Sequence, residues 1–219
     1  MREAVRVLLR RLQGHQVDHV NHPHLQLRGE LAQQVDGGQG LWEVDGSLHN
    51  WTDSAGKING AYAGDSYAVF QGASGKVEID NDNGAVTASG LQFASDGYEI
   101  AGDALTLTMA DTTIRVGDSS AEGADFTATI AAGLTGGAGL VKTDLGTLVL
   151  SGDSSYTGAT AVTGGTLLVN GDQSTATGTT SVASGATLGG SGTIGGDVTV
   201  ADGGMLAAGE VIGKAGTLT

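Results

Sequence analysis

Four leucines of this chain recur behind one small-residue pattern. Gly164-Gly165-Thr166-Leu167, Gly185-Ala186-Thr187-Leu188 and Gly203-Gly204-Met205-Leu206 share it, and Gly146-Thr147-Leu148 belongs with them. The leucines lie 19, 21 and 18 residues apart. Self-similarity at about 20 residues marks a solenoid, in which each coil buries its apolar side only against its neighbours. Leu148, Leu167, Leu188 and Leu206 are therefore expected at equivalent inward positions of successive coils. A chain built this way is scaffold before it is anything else.

Composition supports that reading. The 219 residues include 39 Gly, one Pro and no Cys. Glycine stands at more than twice its usual share of roughly 7%, and it alternates with Val, Leu and Ile, so it reads as turn residue. Absent cysteine excludes disulfides and thiolate metal sites. The net charge of −14 is uneven: residues 1–28 hold five Arg against Glu3 and Asp18, leaving −17 on residues 29–219. So acidic a body repels nucleic-acid phosphates and anionic headgroups. No stretch reaches the ~20 apolar residues of a membrane helix, so no direct membrane insertion is expected.

The composition divides the chain into an atypical tail over 1–36, N-terminal coils over 37–138 and the most regular coils over 139–219. The tail holds the single proline, Pro23, and four of five histidines. Val5, Leu8, Leu9 and Leu12 follow helical spacing, so residues 2–13 read as a short amphipathic helix, and the tail as disordered or short-helical. Arg6, Arg10 and Arg11 break any signal-peptide core. A misplaced start codon or a frameshift would account for so foreign a segment. His15, His19, His22 and His24 match no structural metal spacing. After the tail, Val77–Ile79, Val86–Ala88, Leu105–Met109, Ile114–Val116 and Phe126–Ile130 alternate as short strands, with Asn83-Gly84 as a tight-turn signal. Thr147–Leu150, Ala159–Val162, Thr166–Val169, Thr180–Val182 and Val198–Val200 continue the series. The chain is all-β, with roughly nine coils and a rod of about 40 Å expected over 41–219. The sequence stops inside Gly216-Thr217-Leu218, the start of a further coil.

The run Gly139-Leu140-Val141-Lys142-Thr143-Asp144-Leu145-Gly146-Thr147-Leu148-Val149-Leu150-Ser151-Gly152, followed by Tyr156-Thr157-Gly158, resembles the passenger-associated transport repeat of bacterial autotransporters. Asp144-Leu145 stands where that motif has small residues. The resemblance implies a right-handed parallel β-helix, a passenger exported by type V secretion and presented at the surface of a Gram-negative cell. It also implies a C-terminal outer-membrane β-barrel on the full-length chain, absent from these 219 residues. The function so implied is a structural scaffold that assists export and display, with adhesion to a host or glycan ligand.

Two other readings compete. A carbohydrate- or host-binding module would use Trp42, Trp51, Tyr62, Tyr67 and Phe70 as a stacking face; the alternative is a hydrophobic cap. A β-helix hydrolase or lyase would need a convergent catalytic set. Gly-Asp-Ser occurs before Ser66, Ser119 and Ser154, but a nucleophilic serine needs a base within reach, and His49 is the sole histidine after the tail. Turns explain the three tripeptides better, so no catalytic, cofactor or metal residue is assigned. Asp80-Asn81-Asp82-Asn83-Gly84 places its glycine one position early for an EF-hand and lacks the closing Glu. Asn50-Trp51-Thr52 fits a glycosylation sequon.

Overall fold

A computed structural model describes residues 6–9, 37–44, 50–52, 59–209 and 217–219. It is a parallel β-solenoid, consistent with the right-handed sense that parallel crossovers prefer. Its helical content among the described residues is one 3₁₀ turn, Glu122–Asp125.

One face of the rod is an eight-stranded parallel sheet. Its strands, in order, are Gly40–Trp42, Lys76–Ile79, Tyr98–Gly102, Thr127–Ile130, Thr147–Leu150, Thr166–Val169, Thr187–Gly190 and Met205–Ala208. Spatial order equals chain order, so each strand lies on the one from the coil before. The other face is a twelve-stranded sheet. Its parallel run passes from Ser66–Phe70 through Thr87–Phe93, Asp111–Val116, Gly139–Thr143, Thr160–Val162 and Thr180–Val182 to Val198–Val200. Asp172–Gln173 and Thr193–Ile194 form a small third sheet. Thr219 continues it through backbone bonds to Ile194 and Gly192. Eight rungs at roughly 4.8 Å span about 34 Å, somewhat less than nine coils would give.

The leucine register holds. Leu148 pairs with Leu167, Leu167 with Leu188 and Leu188 with Leu206. The first three are at most 1% exposed, but Leu206 is 56% exposed. Its strand ends the sheet order, so nothing among the described residues stacks on its far side. A second column runs Val77, Ile100, Ile130, Leu150 and Val169, all buried. Each such aliphatic side chain gains about 1.5–3 kcal/mol from leaving water. The columns, more than any local preference, fix which coil sits on which.

The missing ninth coil has a cause in the register. Trp42 pairs with Ile79, 37 residues on; Val77 pairs with Ile100, 23 on; Ile100 pairs with Ile130, 30 on. Only from Ile130 does the spacing settle near 20. The long step between Ile100 and Ile130 comes from residues 117–126, which carry the 3₁₀ turn between strands Asp111–Val116 and Thr127–Ile130.

The turn expected at Asn83-Gly84 forms, with Gly84 N–H donating to Asn81 O and Gly84 at φ 130°. The strands on its two sides lie in different sheets, so it is a corner of the coil. One expectation changes. The tail is neither helical nor disordered at Arg6–Leu9, which is a strand. It lies parallel to Ser66–Phe70 and antiparallel to Trp51–Thr52, which pairs in turn with Asn59–Gly60. An exposed strand edge offers unpaired backbone groups, and that demand outweighs helical side-chain spacing in a four-residue segment. The other tail residues, with His15, His19, His22, His24 and His49, lie outside the described residues.

Candidate functional site

The three Gly-Asp-Ser serines are scattered and differently used. Ser154 is 2% exposed, and its Oγ accepts from Leu134 N–H at 3.1 Å. Ser66 is also buried, and its carbonyl accepts from Tyr62 Oη at 3.0 Å. Ser119 is exposed at a left-handed corner, φ 70°. Its Oγ accepts from the Arg115 guanidinium, a donor-only group that offers no general base. The structure brings none of the three together.

The acidic segment Asp80–Gly84 spends its side chains on its own turn. Asp80 Oδ1 accepts from Asp82 N–H at 2.9 Å, and Asn81 bonds Val86 N–H and Ala104 O through its two side-chain ends. Among the described residues no three acidic or imidazole groups converge on a metal position. The sequon's Asn50 is 7% exposed and donates through Nδ2 to Leu41 O at 2.6 Å, so the amide is held inside the fold.

The early aromatic residues form a cluster, not a face. Trp42, Trp51, Tyr62 and Phe70 are each at most 4% exposed. Their ring centroids lie 5.1–5.7 Å apart in tilted and edge contacts. Phe70 stacks on Phe93 at 5.0 Å, and Tyr98 joins them. Burial pushes the Tyr62 phenol far above its usual range, with Asp65 adding to the rise. Tyr67 is the exception: it lies on the outer side, its ring against Gly90, where a Cβ would come within 2.6 Å of the ring. This is the hydrophobic cap of the two sequence readings.

The most elaborate polar arrangement sits at the corner after strand Gly139–Thr143. Asp144, at φ 66°, accepts from Arg115 Nε at 2.8 Å, Ser119 N–H at 3.0 Å and Leu145 N–H at 2.8 Å. Burial works against its charge, but the Arg115 bond and the two amides together hold its carboxyl below the usual range. Lys142 is 0% exposed in the inward column between Ile114 and Val162. Its ammonium donates to Thr143 O, Asp144 O and Gly164 O at 3.0, 3.0 and 3.1 Å. Burial pulls it down to about 8, with Asp144 opposing. The sequence marked Asp144 only as a departure and Lys142 only as a motif letter; alternation around an inward lysine was the available signal.

At the C-terminal end of the described rod, Val198, Val200, Met205 and Leu206 are 39–57% exposed. A shallow groove of about 360 Å³ beside them is lined by Val162, Thr163, Ser181, Val182, Thr199 and Val200, among others.

Residues 140–169, the stretch holding this corner, match the family described as passenger-associated-transport-repeat. The chain is 46% identical over 139 residues to the adhesin BmaC autotransporter of Brucella suis biovar 1 (strain 1330). That alignment covers 61% of this chain and 4% of the relative, so the chain spans a small part of the relative's length. No solved structure matches. The matched repeat supplies two successive strands to each of the two main sheets, and both it and the relative are of autotransporter passengers.

Proposed function

We infer that this autotransporter passenger sequence is a stretch of surface scaffold. It holds its coils out from a Gram-negative cell and contributes to adhesion. One observation carries the reading: the 140–169 transport repeat coincides with coils whose inward columns run unbroken into the neighbours on both sides. The relative's printed name, an adhesin autotransporter, supports the adhesive part. An outer-membrane barrel supplied by the full-length protein is the expected export partner, and the ligand is a host or glycan surface. We read the coils of 37–138 and 139–219 as one continuous stack, to which the 1–36 segment adds the strand Arg6–Leu9.

Catalysis is not part of the reading. Ser66 and Ser154 are buried, and Ser119 faces an arginine. No labelling by a fluorophosphonate probe is expected at any of them.

The test is display. Residues 37–219, joined to an export signal and a translocator barrel, are expected at the surface of a Gram-negative host, accessible to added protease. Such cells should gain adherence to epithelial cells or matrix over cells showing the barrel alone. Retention inside the cell sinks the scaffold reading. Display without adherence sinks the adhesive one.

A further inference from the structure

We propose that Lys142 and Asp144 act as one latch tying three successive coils together at a single corner. The two side chains leave the same short turn in opposite directions along the rod. Asp144 reaches back to the preceding coil, taking Arg115 Nε and Ser119 N–H. Lys142 reaches forward to the following coil, giving a proton to Gly164 O while also binding the carbonyls of Thr143 and Asp144 in its own turn. Elsewhere among the described residues, coils meet through backbone ladders, apolar columns and separate side-chain bonds such as Asn81 Nδ2 to Ala104 O and Gln92 Nε2 to Gly117 O. Here alone among the described residues, a carboxylate and a buried amine from one turn span three of them.

The placement of Lys142 is the physical argument. The column above and below it is Ile114, Val162 and Val182. A leucine or isoleucine would satisfy that column without the cost of burying an amine. Only a long, terminal donor reaches three converging carbonyls beyond it. The backbone of the next coil packs closely against this turn: a Cβ on Gly165 would lie within 2.6 Å of the carbonyl oxygens of Asp144, Leu145 and Gly146. Opening the corner therefore removes one donor from three part-buried carbonyls at once.

The charged groups around the amine are few. Asp144 lies in its own turn. Arg115, from the preceding coil, is turned onto Asp144 and acts also on Asp118. The following coil offers Thr163, Gly164 and Gly165, none of which titrates. The amine's folded value, about 8, lies below its unfolded value of about 10.4. Between these limits the unfolded chain binds more protons, so stability rises as pH climbs from 8 to 10.

The experiment uses the full chain, by hydrogen exchange and by denaturant midpoint against pH. In Lys142→Met, the amides of Gly146 and Thr166, which cross this corner to Val116 O and Gly146 O, should exchange roughly tenfold faster or more. The amide of Asp80, bonded to Trp42 O far along the rod, should keep its rate. Asp144→Asn should speed the same corner amides, and the double variant should add little to either change, because one unit fails once. Unchanged corner amides, or fully additive effects, overturn the latch. If Lys142→Met does not fold, Asp144→Asn decides through its corner amides, and the parent's midpoint should rise relative to that of Lys142→Arg between pH 8 and 10. Corner amides unchanged in Asp144→Asn overturn the proposal as well.

Discussion

Leu167 and Leu206 occupy the same column, one buried and one exposed. The difference makes a paired test of register against burial. Leu167→Asp places an unpaired carboxylate in an apolar stack and should cost more than about 3 kcal/mol by denaturant unfolding. Leu206→Asp, half in water already, should stay within about 1 kcal/mol of the parent. Equal effects would mean that the shared column does not set the energetics. Asp144 gives a second residue-level prediction. Its folded carboxyl lies below the ordinary range, with the Arg115 bond and two amides outweighing burial. Its contribution is therefore present above the unfolded value of about 3.9 and lost as pH falls through the lower folded one. Thermal midpoints of Asp144→Asn should fall less steeply than the parent's between about pH 4 and pH 2. The column was legible because hydrophobic spacing repeats. The Asp144 contacts were not, because Arg115 and Ser119 lie 29 and 25 residues away and only the fold makes them neighbours.

At the scale of elements, the sequence disclosed strands better than their partners. Thr147–Leu150, Thr166–Val169, Thr180–Val182 and Val198–Val200 appear with the limits their alternation predicts. Gly139–Thr143 was recognisable as motif but not as strand, because its inward lysine breaks the polar-out pattern. Asn83-Gly84 signalled a turn but not which sheets its strands join, since turn chemistry is local while sheet membership is decided by the columns. Arg6–Leu9 was misread for a related reason: four residues satisfy either period. The glycine two residues before Leu167 now has a cause. Gly165 sits at φ 61°, with three carbonyl oxygens 2.4–2.6 Å from where a Cβ would stand. Gly165→Ala should therefore cost about 2 kcal/mol or more, combining left-handed strain with contact that backbone cannot relieve. A variant with the parent's midpoint would show that the corner has slack the geometry denies.

For the whole molecule, the ends differ more than the middle. One end is closed by the Trp42–Trp51–Tyr62–Phe70 cluster and the antiparallel pairing of Trp51–Thr52 with Asn59–Gly60. The other shows Val198, Val200, Met205 and Leu206 to solvent. In a quasi-one-dimensional stack, stability is approximately a sum of coil terms and neighbour interfaces. A rung with two covered sides is held by two interfaces, and a rung at an open end by one. Amide exchange should therefore be slowest in strands Thr127–Ile130, Thr147–Leu150 and Thr166–Val169, which flank the Lys142 corner. It should quicken through Thr187–Gly190 to Met205–Ala208. The aromatic end should decline less, because its cluster supplies a large apolar contact beyond the last described rung. Uniform protection along both sheets would instead mean that the rod opens only as a whole. Fastest exchange in the 147–169 strands would contradict the continuous columns on which the scaffold reading rests.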